Sequence, residues 1–137
     1  MELRKITDTY SVSPQIDMAD LPLIAQAGFK RVICNRPDAE IPPSHHAEAM
    51  AAAAREAGLD FQILPLTHQT MTPENVALQR GYIDDADGPV LAYCASGTRS
   101  TICWALGQAG EMPADQILGQ AAEAGYNLEQ LRPALEG

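Results

Sequence analysis

Three short apolar runs, each closed by a turn residue, stand out along the chain. Lys30–Asn35 has a β-branched centre, Val32-Ile33. Phe61, Ile63 and Leu64 are stopped by Pro65, and Val90-Leu91-Ala92-Tyr93 follows Gly88-Pro89. Runs of this length and composition predict buried strands. Helical patterns fill the intervals. Asp17 or Asp20 can cap a helix whose apolar members Leu21, Ile24 and Ala25 lead to a stop at Gly28, and the alanine-rich stretch His45–Ala57 ends at Gly58. Thr72 caps a further helix opened by Pro73-Glu74 and carrying Val76, Leu78 and Ile83. Beyond the last apolar run, helices are expected over Ser100–Ala109, Pro113–Ala124 and Leu128–Leu135. The loosely alternating segment Leu3–Val12 predicts one or two short edge strands. Strands alternating with helices at this spacing imply an α/β class, with a mostly parallel sheet flanked by helices on both faces.

Composition narrows the class further. With 137 residues, 46% hydrophobic and 20% charged, residues 1–137 make one globular domain. Nine Lys and Arg against 18 Asp and Glu give a net charge of −9, which disfavours nucleic acid and anionic membrane as partners. An anionic substrate must therefore meet a local positive site. No apolar run approaches the ~18–20 residues of a membrane span. The three cysteines, Cys34, Cys94 and Cys103, cannot all pair within one molecule, and the start Met1-Glu2-Leu3-Arg4-Lys5 lacks a signal pattern, so a cytoplasmic location is expected.

The string Tyr93-Cys94-Ala95-Ser96-Gly97-Thr98-Arg99-Ser100 carries the specific chemistry. A buried strand delivers Cys94 to the carboxyl edge of the sheet, where open α/β folds place ligands. Small residues and Gly97 let the backbone N–H groups of Ala95, Ser96, Gly97 and Thr98 turn inward as an anion nest, and a helix start adds partial positive charge. Each feature favours a nucleophilic thiolate at Cys94 near neutral pH. Arg99 offers a planar fork for two oxygens of an oxyanion, and Ser100 can donate a hydrogen bond to the sulfur. Most free cysteines are small buried hydrophobes; the ordered succession of strand, Gly, Arg and helix start argues against that here. Arg36 and His68 lie on loops at the same edge. Arg36 can add positive charge there or pair with Asp38 or Glu40, and His68 can contact an anionic substrate or pack its loop. His45, His46 and His68 match no ligand spacing, so neither metal nor cofactor is expected. Cys34 and Cys103 are read as small core residues in preference to disulfide partners of Cys94.

These residues resemble two families with a shared loop design: rhodanese-type sulfurtransferases, with four residues between Cys and Arg, and cysteine-dependent phosphatases, with five. The chain has four. Over roughly residues 10–110 it is also similar to the phosphatase-like domain of beta-lactamase-hydrolase-like proteins. The matching stretches are Ser13-Pro14-Gln15, Ala27-Gly28-Phe29-Lys30 with Val32-Ile33, Asn35-Arg36-Pro37-Asp38, Met71-Thr72-Pro73-Glu74, and Pro89-Val90-Leu91-Ala92-Tyr93. The resemblance implies a cysteine-dependent-phosphatase-like scaffold, sulfur transfer as the activity, and a link to a persulfide-oxidising enzyme. Where a rhodanese has an Asp-Val-Arg-like strand end, this chain has Cys34-Asn35-Arg36.

Loop length and acid supply then set the expected reaction. A loop shortened by one residue contracts the ring of N–H donors, which suits one extra sulfur atom better than a full phosphate. Hydrolysis of an alkyl phosphate needs an acid for the leaving group. The segment Thr67–Thr72 has no carboxylate, Asp84, Asp85 and Asp87 fall at the opposite sheet edge, and only Asp38 and Glu40 lie at the right one. The first expectation is a sulfurtransferase taking sulfane sulfur from a small-molecule donor, thiosulfate or a persulfide, through Cys94 to a thiol acceptor or cyanide. A cysteine-dependent phosphatase and a noncatalytic anion- or persulfide-binding protein stand as alternatives.

Overall fold

The computed structural model describes residues 1–136. Its five strands are β1 (Arg4–Lys5), β2 (Tyr10–Ser13), β3 (Arg31–Cys34), β4 (Asp60–Ile63) and β5 (Val90–Tyr93), and they form one sheet in the order β1-β2-β5-β3-β4. Strands β2, β5, β3 and β4 pair in parallel, and only β1 runs antiparallel, at the edge. The α/β architecture expected from the sequence is therefore present, with one correction. β2 is not an edge strand: all four residues of Tyr10-Ser11-Val12-Ser13 are buried, and β5 lies between β2 and β3.

The period of two along each strand divides the interior. Val32, Cys34, Leu91 and Tyr93 point to one face, where helices α1 (Leu21–Gln26) and α2 (Ala47–Glu56) cover them with Leu21, Ile24 and Met50. The buried alanines Ala47, Ala51 and Ala54 form much of the packed surface of α2. Ile33, Val90 and Ala92 point to the other face. They meet residues of α4 (Thr98–Gln108), α5 (Ala114–Glu123) and α6 (Arg132–Glu136), including Trp104, Ile117 and Leu135, with α3 (Pro73–Asp84) packed alongside α4. As expected, Thr72 caps α3, its hydroxyl accepting from Asn75 N–H at 3.2 Å. The aspartates before β5 do lie at the amino edge, where Arg31 binds Asp85 and Asp60. The last expected helix is shorter than read, with a 3-10 turn over Glu129–Leu131 preceding α6.

One buried polar cluster ties α3 and α4 to the sheet on one face. Asn35, just past β3, and Gln79 of α3 exchange amide hydrogen bonds at 2.9 and 3.0 Å. Asn35 Nδ2 also donates to Leu64 O, and Gln79 Nε2 to the Tyr10 hydroxyl. That hydroxyl donates to the Ser100 carbonyl at 2.7 Å, and Ser100 Oγ donates to Asn35 Oδ1 at 2.8 Å. Asn35, Gln79 and Ser100 are all 0% exposed, so each bond replaces water that the groups cannot reach. The substitution Gln79→Leu keeps the volume and strands the Asn35 amide and the Tyr10 hydroxyl. It should cost about 2–3 kcal/mol in urea unfolding; a loss below about 0.5 kcal/mol would show that the cluster does not bear on stability.

Candidate active site

β5 ends at Tyr93 between the ends of β2 and β3, and the backbone continues the sheet briefly past it. Cys94 N–H donates to Ser13 O, Gln15 N–H to Ala95 O, and Asn35 N–H to Tyr93 O. The chain must then reverse into α4 within three residues. Gly97 makes the turn with φ +92°, a left-handed conformation that side-chain-bearing residues rarely adopt, and it sits at the N-cap of α4. A Cβ there would also collide with the Tyr126 hydroxyl. In this conformation Gly97 N–H donates to Cys94 Sγ at 3.1 Å. Ser96 Oγ contacts Thr98 Oγ1 at 2.9 Å and accepts weakly from Thr98 N–H at 3.4 Å. The sulfur thus faces a backbone donor and the positive end of an 11-residue helix.

The other two cysteines differ from it. Cys103 is buried on the α4 side with no polar partner, and burial pushes its thiol up to about 12. Burial also raises the Cys34 thiol, whose Sγ–H points to the Arg36 carbonyl at 3.5 Å. Both are core thiols, as the sequence suggests. Cys94 is equally buried, so a reacting group must displace part of its cover to reach the sulfur.

Arg99 lies in the first turn of α4. Its Nη1 donates to Glu40 Oε2 at 2.8 Å and to Leu66 O at 2.8 Å, and its Nη2 donates to Glu40 Oε1 at 2.7 Å. Those contacts occupy the end of the guanidinium. Among the described residues no oxygen accepts from Nε–H, so the Nε–Nη2 edge is left for an oxyanion, and Arg99 is near enough to Cys94 to feel its charge. The Arg99 guanidinium, with Arg36 adding to it, holds the Glu40 carboxyl below the usual carboxylate range, and Glu40 in turn raises Arg99. Arg36 reaches Glu40 at 3.4 Å through Nε and Gln15 Oε1 at 3.3 Å through Nη1. Of the two partners weighed for Arg36, Glu40 is the one it binds.

One site expectation changes. Ser100 does not donate to the sulfur: its hydroxyl proton is committed to Asn35 Oδ1, and the donor at the sulfur is Gly97 N–H. His68 is exposed and makes no hydrogen bond among the described residues, while the Leu66 carbonyl near it accepts from Arg99. Asp38 accepts from Ala47 N–H at 2.8 Å at the start of α2, which is structural work. His45 binds Asp17 and His46 binds Ile41 O, and no three His, Cys, Asp or Glu side chains among the described residues are grouped to hold a metal ion. The sequence reading did not find Tyr126, whose hydroxyl donates to Ser96 O at 2.9 Å, nor the buried pair Asn35 and Gln79.

Comparison with known proteins now adds to this geometry. Residues 2–111 match the family described as beta-lactamase hydrolase-like protein, phosphatase-like domain. The chain belongs to that family. A beta-lactamase hydrolase-like protein of Agrobacterium fabrum (strain C58 / ATCC 33970) is 34% identical over 111 residues, 80% of this chain and 25% of that protein. The chain thus spans about a quarter of that relative's length. A crystal structure from Neisseria meningitidis Z2491, described as a candidate phosphatase, superposes with a TM-score of 0.87 at 38% identity, covering 99% of this chain and 97% of that one. P. aeruginosa TpbA, crystallised in complex with pTyr, shares the fold at 16% identity and a TM-score of 0.67, over 98% of this chain and 83% of that one. The family places this chain among phosphatase-like domains and does not itself show the sulfur transfer expected first. No helix among the described residues is long and apolar enough to cross a membrane.

The Glu40–Arg99 pair can be tested by substitution and by pH. Because the folded value of Glu40 is lowered, the stabilisation it contributes is present above the ordinary carboxylate range and is lost as pH falls through the lowered value. Glu40→Gln releases Arg99 and should weaken binding of tungstate, an oxyanion probe, about tenfold by calorimetry. Acid titration of the wild type should weaken it in the same direction. Tighter binding by Glu40→Gln would mean that the carboxylate competes for the anion site.

Proposed function

We propose that this chain is a cysteine-dependent enzyme of the phosphatase type, with Cys94 as nucleophile and Arg99 and the Ala95–Thr98 loop as the oxyanion seat. The observation that carries this reading is Gly97 N–H aimed at Cys94 Sγ beside the free edge of Arg99. In the reaction the Cys94 thiolate attacks phosphorus. An S–P bond forms as the P–O ester bond breaks, and the leaving group departs with the electron pair. Water then cleaves the S–P bond, releasing phosphate and restoring the thiolate. Glu40, held as a carboxylate by two arginines, does not supply a proton to the leaving group. The substrates that fit are therefore phosphate esters whose leaving group departs without protonation, such as aryl phosphates.

A second reading, sulfur transfer, is supported by the four-residue spacing between Cys94 and Arg99. Here the Cys94 thiolate attacks the outer sulfur of thiosulfate, sulfite leaves, and the resulting persulfide passes its sulfur to an acceptor thiol or to cyanide. A small-molecule persulfide donor, a thiol acceptor and a persulfide-oxidising partner belong to this reading, as does a reducing cytoplasmic setting. The same lack of an acid suits it, because sulfite needs no protonation to depart.

Parallel assays with p-nitrophenyl phosphate, an alkyl phosphate, and thiosulfate with cyanide separate the two. The phosphatase reading predicts aryl phosphate turnover at least about 100-fold above alkyl phosphate, lost in Cys94→Ser. Thiocyanate formation far faster than phosphate release would replace it with sulfur transfer. Full activity of Cys94→Ser with every donor would overturn both.

A further inference from the structure

Tyr126 lies in the turn after α5, outside the segment 2–111 that matches the family, and it reaches the Cys94 loop from 30 residues away in sequence. Its placement is built rather than incidental. The Arg4 guanidinium stacks 5.2 Å from the ring centroid, and Arg4 Nη1 donates to Ala124 O at 3.1 Å, fixing the turn that presents the ring. The side chain is 7% exposed, and its hydroxyl fills the space that a Cβ on Gly97 would need. The hydroxyl donates to the Ser96 carbonyl, which belongs to the same peptide unit as the Gly97 N–H that meets Cys94 Sγ. In a planar trans peptide those two groups point in opposite directions, so fixing the carbonyl fixes the N–H. A donor on the oxygen also polarises the unit and strengthens its N–H as a donor.

We propose that Tyr126 is a positioning residue for Cys94: its hydroxyl locks and polarises the Ser96–Gly97 peptide so that the N–H is held on the sulfur. The proposal rests on Cys94 being the nucleophile, and it holds for phosphoryl and sulfur transfer alike. The peptide otherwise has a free choice. With no hydroxyl at Ser96 O, Gly97 has the backbone freedom to rotate the unit and turn the N–H away. The ionisable groups close enough to feel the charge of Cys94 are Tyr10 on β2, Cys34 on β3, Arg99 on α4, and Tyr126 itself. Replacing the Tyr126 hydroxyl leaves the others in place.

The test is the rate of iodoacetamide alkylation at Cys94 as a function of pH, followed by peptide mass spectrometry so that Cys34 and Cys103 are read separately. Tyr126→Phe retains the ring and removes the bond. Its alkylation midpoint should rise by about one pH unit, with a loss of about tenfold in rate at neutral pH. A purely structural role would lower the melting temperature and leave the midpoint where it was, and that result overturns the proposal. Should Tyr126→Phe fail to fold, site-specific 3-fluorotyrosine at position 126 keeps the shape and makes a stronger donor. Its midpoint should then fall, and an unmoved midpoint overturns the proposal equally. Alkylation reads the sulfur without any substrate. Failure here is thus distinct from failure of the nucleophile assignment, which shows as activity retained by Cys94→Ser.

Discussion

One backbone hydrogen bond, from Gly97 N–H to Cys94 Sγ, joins the last strand of the sheet to the first turn of the helix that follows it. Around it the structure satisfies three demands at once. The strand must end with sulfur at the carboxyl edge, which the central position of β5 between β2 and β3 ensures. The chain must turn through a left-handed conformation, which Gly97 permits. The helix must start in a fixed place, and the buried bonds from the Tyr10 hydroxyl to Ser100 O and from Ser100 Oγ to Asn35 Oδ1 hold its first turn against β2 and β3. Loosening any of the three moves the N–H and changes the environment of the sulfur.

Charge organises the same site on a larger scale. The chain carries −9 overall, so an anion approaching it meets a repulsive field until it reaches the few arginines near the carboxyl edge. Arg36 and Arg99 both engage Glu40, which spends part of that positive charge internally. In return Arg99 is held at one end by Glu40 and the Leu66 carbonyl. This arrangement fixes orientation rather than maximising charge. It also holds the Glu40 carboxyl below the usual carboxylate range, which favours its ionised form.

Much of this was legible in the residue pattern, because the pattern is local. β3, β4 and β5 follow from apolar runs bounded by Gly and Pro, α3 from Thr72-Pro73, and the loop from the order of Cys94, Gly97 and Arg99. What escaped depends on distant partners. The serines of β2 read as an alternating edge strand, yet Ser11 and Ser13 are buried because β5 pairs along that strand. Ser100 follows Arg99 directly and so suggests a sulfur donor. Its true partner, Asn35, is 65 residues away and becomes available only once β3 packs beside β5. Glu40 meets Arg99 across 59 residues, and Tyr126 meets Ser96 across 30. No spacing rule reports such contacts. A tyrosine after a helix-ending Gly125 offers no more than an aromatic residue near a turn.

In the proposed reaction Cys94 carries the transferred group during turnover. Rapid acid quench of the protein reacting with an aryl phosphate, or with thiosulfate, followed by mass spectrometry of the peptide containing Cys94, measures this directly. A covalent adduct on Cys94 is expected, phosphoryl or sulfane according to the donor consumed, that forms and decays at the rate of turnover. Turnover with an unmodified Cys94, or an adduct on Cys34 or Cys103, would contradict it.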